Sequence, residues 1–202
     1  MSLSRKWFLV VLSVIFGVGN TIFAQKIEAK NLVPNADFEE MGVGWTNQAM
    51  KDGKTVKVEI GGWVTDELHS GKYSLQVINA DPNLRADWAS DYFSCEAGEK
   101  IQYSYWLKTF SLKKCEGGYF EVRLSVYDKD KNRLKAYGKY PGYGAISPKE
   151  LAELLEAVKS DWIEYKAEIT LPAETKYVNI SLLMANFTGV VWLDDVEVIN
   201  LP

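Results

Sequence analysis

Between Ile101 and Ile199 the chain alternates apolar and polar residues at period two over several segments, and this most restricts its fold. Tyr119–Tyr127 puts Phe120, Val122, Leu124 and Val126 on one face and Tyr119, Glu121, Arg123, Ser125 and Tyr127 on the other. Ile101, Tyr103, Tyr105 and Leu107 alternate with Gln102, Ser104, Trp106 and Lys108, and Val178, Ile180, Leu182 and Met184 alternate with Tyr177, Asn179, Ser181 and Leu183. Segments 56–60, 73–78 and 190–199 read as further strands. Asp52-Gly53, Ser70-Gly71, Asp81-Pro82-Asn83, Gly98, Gly117-Gly118 and Pro172 separate them. Short strands at this spacing predict an all-β fold, an antiparallel β-sandwich of the jelly-roll kind.

One helix is expected within it. Ser147-Pro148-Lys149-Glu150 is a capping box with proline at the first helical position. Leu151, Leu154, Leu155 and Val158 follow at helical spacing, which places a short inserted helix over about 148–159.

The N-terminus reads as an address. Arg5 and Lys6 precede an apolar run from Trp7 to about Val18, and Ala24 offers a small residue before a cut. Residues 1–24 are therefore expected to be a signal peptide and 25–202 a single domain, secreted or held in the periplasm or cell envelope. The apolar run is shorter than the ~20 residues a spanning helix needs, so the mature chain is not expected to insert in a membrane. Export would permit a Cys95–Cys115 disulfide; the spacing leaves its formation open.

A net charge of -4 gives no basic field for nucleic acid. A single histidine leaves little room for a zinc site or for Ser–His chemistry. No phosphate loop or nucleophile elbow is present, so the chain is not expected to be an enzyme. Two carboxyls facing one another across a cleft, one of them with a raised pKa, would argue for a hydrolase instead.

Near its start the mature domain carries Asn31-Leu-Val-Pro-Asn-Ala-Asp-Phe-Glu-Glu40 and Gly44-Trp45. It continues through Ser70-Gly-Lys-Tyr-Ser-Leu75 and Ala97-Gly-Glu-Lys-Ile-Gln-Tyr-Ser-Tyr-Trp-Leu-Lys108, and closes on Val191-Trp-Leu-Asp-Asp-Val-Glu-Val198. In these motifs and their order the chain resembles the β-sandwich carbohydrate-binding modules of families four, nine, sixteen and twenty-two, which are galactose-binding-domain-like. The resemblance implies a non-catalytic module that binds a poly- or oligosaccharide on a concave sheet face. It also implies a structural calcium ion between the first and last strands. Matched by position, Glu39 and Asp194 are the best side-chain ligands, with Asp37 and Asp195 next. Parity with Val196 and Val198 puts Asp194 on the core side, where a carboxylate needs a cation or hydrogen bonds.

Sugars are met by exposed aromatic platforms flanked by planar hydrogen-bonding groups. Trp88, ahead of the strand that carries Phe93 and Cys95, occupies the region where the resembled modules often place a cleft wall. Arg123 and Tyr127 follow it as candidates, then Trp106, Tyr119 and Arg85. The expected partners are the glycan and, because such modules commonly accompany catalytic domains, a separate glycoside-degrading enzyme. The alternative is the same fold acting as a protein-interaction or structural module of an exported complex.

Overall fold

The computed structural model describes residues 30–134, 143–144 and 148–202. The signal segment and the aromatic stretch from Tyr137 to Tyr140 lie outside them. Ten strands and one helix follow in the order β1 (Trp45–Lys51), β2 (Lys54–Val56), β3 (Trp63–Val64), β4 (Ser74–Asn79), β5 (Leu84–Ser90), β6 (Phe93–Ser94), β7 (Lys100–Tyr127), β8 (Tyr143–Gly144), α1 (Pro148–Glu156), β9 (Ile163–Thr170) and β10 (Tyr177–Asn200). The all-β sandwich expected from the alternation is what the chain forms.

Two strands are much longer than the turn signals implied. Gly117-Gly118 marks no break between strands, because β7 runs through it for 28 residues, and β10 runs for 24. They pair antiparallel from Tyr177↔Tyr127 to Asn200↔Ile101, with register shifts at Ala185/Phe187, Thr188/Val190 and Asp194/Glu197. Ser111, Gly117, Asn186 and Gly189 take positive φ beside the first two shifts, where the ribbon bends. The ribbon thereby serves two layers. In the first, β2, β1, β5, the first half of β10, the second half of β7 and β8 lie side by side. In the second, β3, β4, the rest of β10, the rest of β7 and β9 do so.

The inward faces hold Val122, Leu124, Ile180, Leu182 and Met184 of the first layer against Leu75, Val77, Ile101, Leu107, Val191 and Leu193 of the second. All are at or near complete burial, which is the dominant favourable term in assembling such a sandwich. α1 adds Leu154 to this core. Tyr105 stacks on Tyr165 at 5.5 Å, and its hydroxyl is buried with no hydrogen-bond partner. Tyr105→Phe should therefore raise stability by about 1 kcal/mol in a denaturant titration; a loss would mean that the hydroxyl is bonded.

Both cysteines are free. Ser94 pairs with Tyr177 and Lys114 with Phe187, so the neighbouring cysteines are held about ten residues apart along β10, some 30 Å at strand rise. Burial pushes the Cys95 thiol up to about 12.

Candidate functional site

On β5, Leu84, Ala86, Trp88 and Ser90 point into the core and Arg85, Asp87 and Ala89 point out. β10 lies between β5 and β7, and the register sets three outward rows across them. Arg85 lies level with Ala185 and Tyr119, Asp87 with Leu183 and Glu121, and Ala89 with Ser181 and Arg123. Tyr127 continues the β7 side of the same face, opposite Tyr177. Four of the candidate ligand residues, Arg85, Tyr119, Arg123 and Tyr127, thus share the outward face of the first layer.

The middle of this face is ionic. Arg85 Nη2 donates to Asp87 Oδ2 at 2.6 Å, and Arg123 Nη2 donates to Glu121 Oε1. Burial outweighs the Arg85 bond at Asp87 and holds its pKa above the usual carboxylate value. Asp87 is the residue that sequence reasoning passed over. Its signal was available, since it shares parity with Arg85 on a strand whose alternate members are apolar.

The ends of the face are aromatic. Tyr119 is 42% exposed at one end. At the other, Tyr92 meets Tyr127 edge-on at 4.9 Å and Tyr177 at 6.4 Å, with the Lys131 ammonium 4.7 Å from the Tyr92 ring. The Tyr127 hydroxyl donates to Asn179 Oδ1 at 3.2 Å.

Two candidates fall elsewhere. Trp88 lies within β5 rather than before a strand, and its inward parity leaves it 3% exposed, edge-on to Trp63 at 5.2 Å. It belongs to the core and walls no cleft. Trp106 sits on the outward side of the second layer, opposite Asp194 and Glu164, with His69 stacked on it at 3.8 Å. His69 is therefore no free surface residue; its Nδ1 shares a 2.6 Å hydrogen bond with Asp195 Oδ2.

Three of the four acids read as calcium ligands, Glu39, Asp194 and Asp195, gather on the 69–73 loop. Asp194 Oδ2 accepts the N–H groups of His69 and Ser70, and its Oδ1 accepts that of Asp195. Glu39 Oε1 accepts the N–H groups of Lys72 and Tyr73 from the other side of Gly71. An added Cβ at Gly71 would lie 2.1 Å from that oxygen, which explains a glycine at φ +61°. Asp194 is buried, but not through the parity that predicted it. It pairs with Trp106 on the outward side, the 69–70 turn covers it, and the shift at Asp195, φ +44°, restores Val196 to the core. Burial pushes its carboxyl up to about 6. Both oxygens of Asp195 are engaged, by His69 and by the Ser70 hydroxyl. Asp37 Oδ1 accepts only the Glu39 N–H, at 3.5 Å.

A cation fits this donor set in part. Glu39 and Asp194 reach one loop from opposite ends of the chain, and a desolvated carboxylate such as Asp194 gains from a nearby positive ion. Among the described residues no three His, Cys, Asp or Glu side chains converge on a metal position, so backbone carbonyls would complete the shell.

No family model matches the chain, and no curated protein matches it. Solved structures do. The enzymatically active domain of tailspike protein 4 of bacteriophage CBA120 aligns over 85% of this chain at TM-score 0.61 and 15% identity; the match covers 21% of the tailspike chain. A family 16 carbohydrate-binding module aligns over 84% of this chain and 99% of its own at TM-score 0.54 and 14% identity. The family 22 module and catalytic module of a Clostridium thermocellum xylanase, complexed with xylohexaose, aligns over 86% of this chain and 29% of its own at TM-score 0.51 and 15% identity. These likenesses show the fold.

Proposed function

Starting from the β-sandwich fold of carbohydrate-binding modules, we propose that this protein is an exported, non-catalytic module that binds a poly- or oligosaccharide across the outward face of its first layer. The observation that carries the reading is the meeting of Arg85, Tyr119, Arg123 and Tyr127 on that one face. Aromatic rings at both ends and planar hydrogen-bonding side chains between them are what a sugar chain needs. Apolar C–H faces lie against the rings, and hydroxyls meet the guanidinium and carboxylate groups. An acidic face without exposed aromatics would have favoured a protein-interaction module, and this face carries Tyr92 and Tyr119, each 42% exposed. The partner is the glycan, brought to a separate glycoside-degrading enzyme. A panel of immobilised polysaccharides probed with the full chain tests this. Saturable binding to one class supports it, and silence from folded protein overturns it.

A second reading has its own observation. Asp87 and Glu121 flank Leu183 on one face, so their Cα atoms are two strand spacings apart, about 10 Å, and the Asp87 pKa is raised. Two acids level with one another across one face leave room for the water that an inverting hydrolase holds between its carboxyl groups. Against it, each carboxyl is bound by an arginine two residues along its own strand, which hinders a proton donor and a water-activating base alike. Reducing ends released from a bound glycan, and lost in Asp87→Asn, would establish the hydrolase.

Calcium remains part of the proposal, held by Glu39 and Asp194 with loop carbonyls, and its role is to tie the chain ends rather than to touch sugar. An ion bound only by the folded state adds stability by mass action, so excess chelator should lower the melting temperature and added calcium restore it. An unchanged melt in chelator would remove the ion from the account.

A further inference from the structure

The ionic middle of the glycan face offers polar atoms that its own ion pairs do not use. Among the described residues, Asp87 Oδ1, Arg85 Nε and Arg123 Nε are buried without a hydrogen-bond partner. Native proteins pair nearly all such atoms, so three on one face are groups that a hydroxyl-rich ligand can satisfy. The side chains that carry them are not sealed. Arg85 and Asp87 are 37% and 17% exposed, and Arg123 and Glu121 16% and 26%, so modest side-chain rotation reaches these atoms from solvent.

We propose that this row reads adjacent hydroxyls of a neutral pyranose chain, with Asp87 as the specificity-determining acceptor. The inference rests on the glycan reading above and names the ligand class for that site. The chemistry is one of complementary roles. Ionised Asp87 only accepts hydrogen bonds, and a guanidinium N–H only donates. A sugar hydroxyl does both, so two neighbouring hydroxyls can donate to Asp87 Oδ1 while accepting from Arg85 or Arg123. A uronate carboxylate or a sulfate would satisfy the arginines and leave Asp87 facing a second anion. The face already matches its charges in pairs, Arg85 with Asp87 and Arg123 with Glu121. Arg133 lies close enough to act on both Asp87 and Arg123, and Lys131 sits over the Tyr92 ring at one end; an acidic chain would draw on these cations. The register adds direction. The two pairs lie on either side of β10, whose outward Ser181, Leu183 and Ala185 are buried between them. A chain lying across the strands therefore meets one pair and then the other.

The test measures affinity of the full chain for neutral β-glucan, xylan, mannan and galactan alongside polygalacturonate and alginate. The variants are Asp87→Asn, Arg123→Lys and, as a control on the far layer, Lys166→Ala. Neutral glycan should bind wild type, and Asp87→Asn and Arg123→Lys should each weaken it about tenfold or more, the usual effect of losing a hydrogen bond to a charged group. Lys166→Ala should bind as wild type does. Asp87→Asn keeps an oxygen that can accept from Arg85 Nη2 and should remain folded, which its melt checks, so its weaker binding is not a folding defect. Wild type bound only by the acidic chains overturns the inference and leaves the glycan reading standing. Neutral binding untouched by Asp87→Asn and Arg123→Lys does the same. Folded wild type that binds none of the six overturns both.

Discussion

Asp194→Ala is expected to lower stability by about 3 kcal/mol, or roughly 6–12 °C in melting temperature for a domain of this size. The carboxylate is fully buried, and its two oxygens accept three backbone N–H groups, those of His69, Ser70 and Asp195. Alanine leaves these donors under a closed turn with nothing to accept them. Removing a desolvated charge recovers part of the loss, since burial holds the Asp194 pKa near 6, but it restores no acceptor. Asp194→Asn keeps one acceptor oxygen and should lose less. A melting temperature that does not move in Asp194→Ala would show that the 69–73 loop closes without it.

Gly61→Ala is the second large effect, about 3 kcal/mol or more, read from the denaturant midpoint. The segment 60–62 lies along β4 as an informal edge, with Gly62 O accepting the Gln76 N–H at 2.7 Å and Ile60 O accepting that of Ile78 at 3.0 Å. A Cβ on residue 61 would lie 2.2 Å from Gln76 O and 2.8 Å from its carbonyl carbon, both of them backbone atoms that cannot rotate away. The φ of +96° adds strain for any L side chain. The segment would have to leave β4, taking with it Ile60, which is 1% exposed. Gly62→Ala next door meets nothing within 4 Å and should fall within about 0.5 kcal/mol of wild type. Equal losses at the two glycines would refute the steric account.

The alternation of 101–107, 119–127 and 177–184 made the sandwich legible, because core and solvent faces follow directly from period two. The capping box at Ser147 located α1 for a similar reason, as a local signal with a local cause. What the sequence concealed was continuity. Gly117-Gly118 looks like a turn, yet there and at Gly189 the chain lets β7 and β10 bend while pairing goes on, and a positive φ serves either purpose. The same ambiguity misled the parity of Asp194, since one register shift reverses every side chain beyond it. Trp88 was misjudged because its strand begins at Leu84, earlier than the Phe93 segment suggested. The ligand face was half legible. Arg123 and Tyr127 followed from one strand's alternation; Asp87 shares parity with Arg85 on its own strand, but its place level with Glu121, 34 positions later, needs the pairing across a third strand.

The bent ribbon also bears on the order of assembly. β10 comes last of the ten strands in the chain and lies inside both layers, between β5 and β7 in one and between β4 and β7 in the other. Strands made earlier wait for it with open edges and an uncovered apolar side. Closing Asn200 onto Ile101 spans about a hundred residues, the kind of distant pairing that puts β-rich proteins among the slow folders, at milliseconds to seconds. The sandwich of a chain growing from a ribosome would thus remain unfolded, and open to whatever handles unfolded chains, until β10 has emerged.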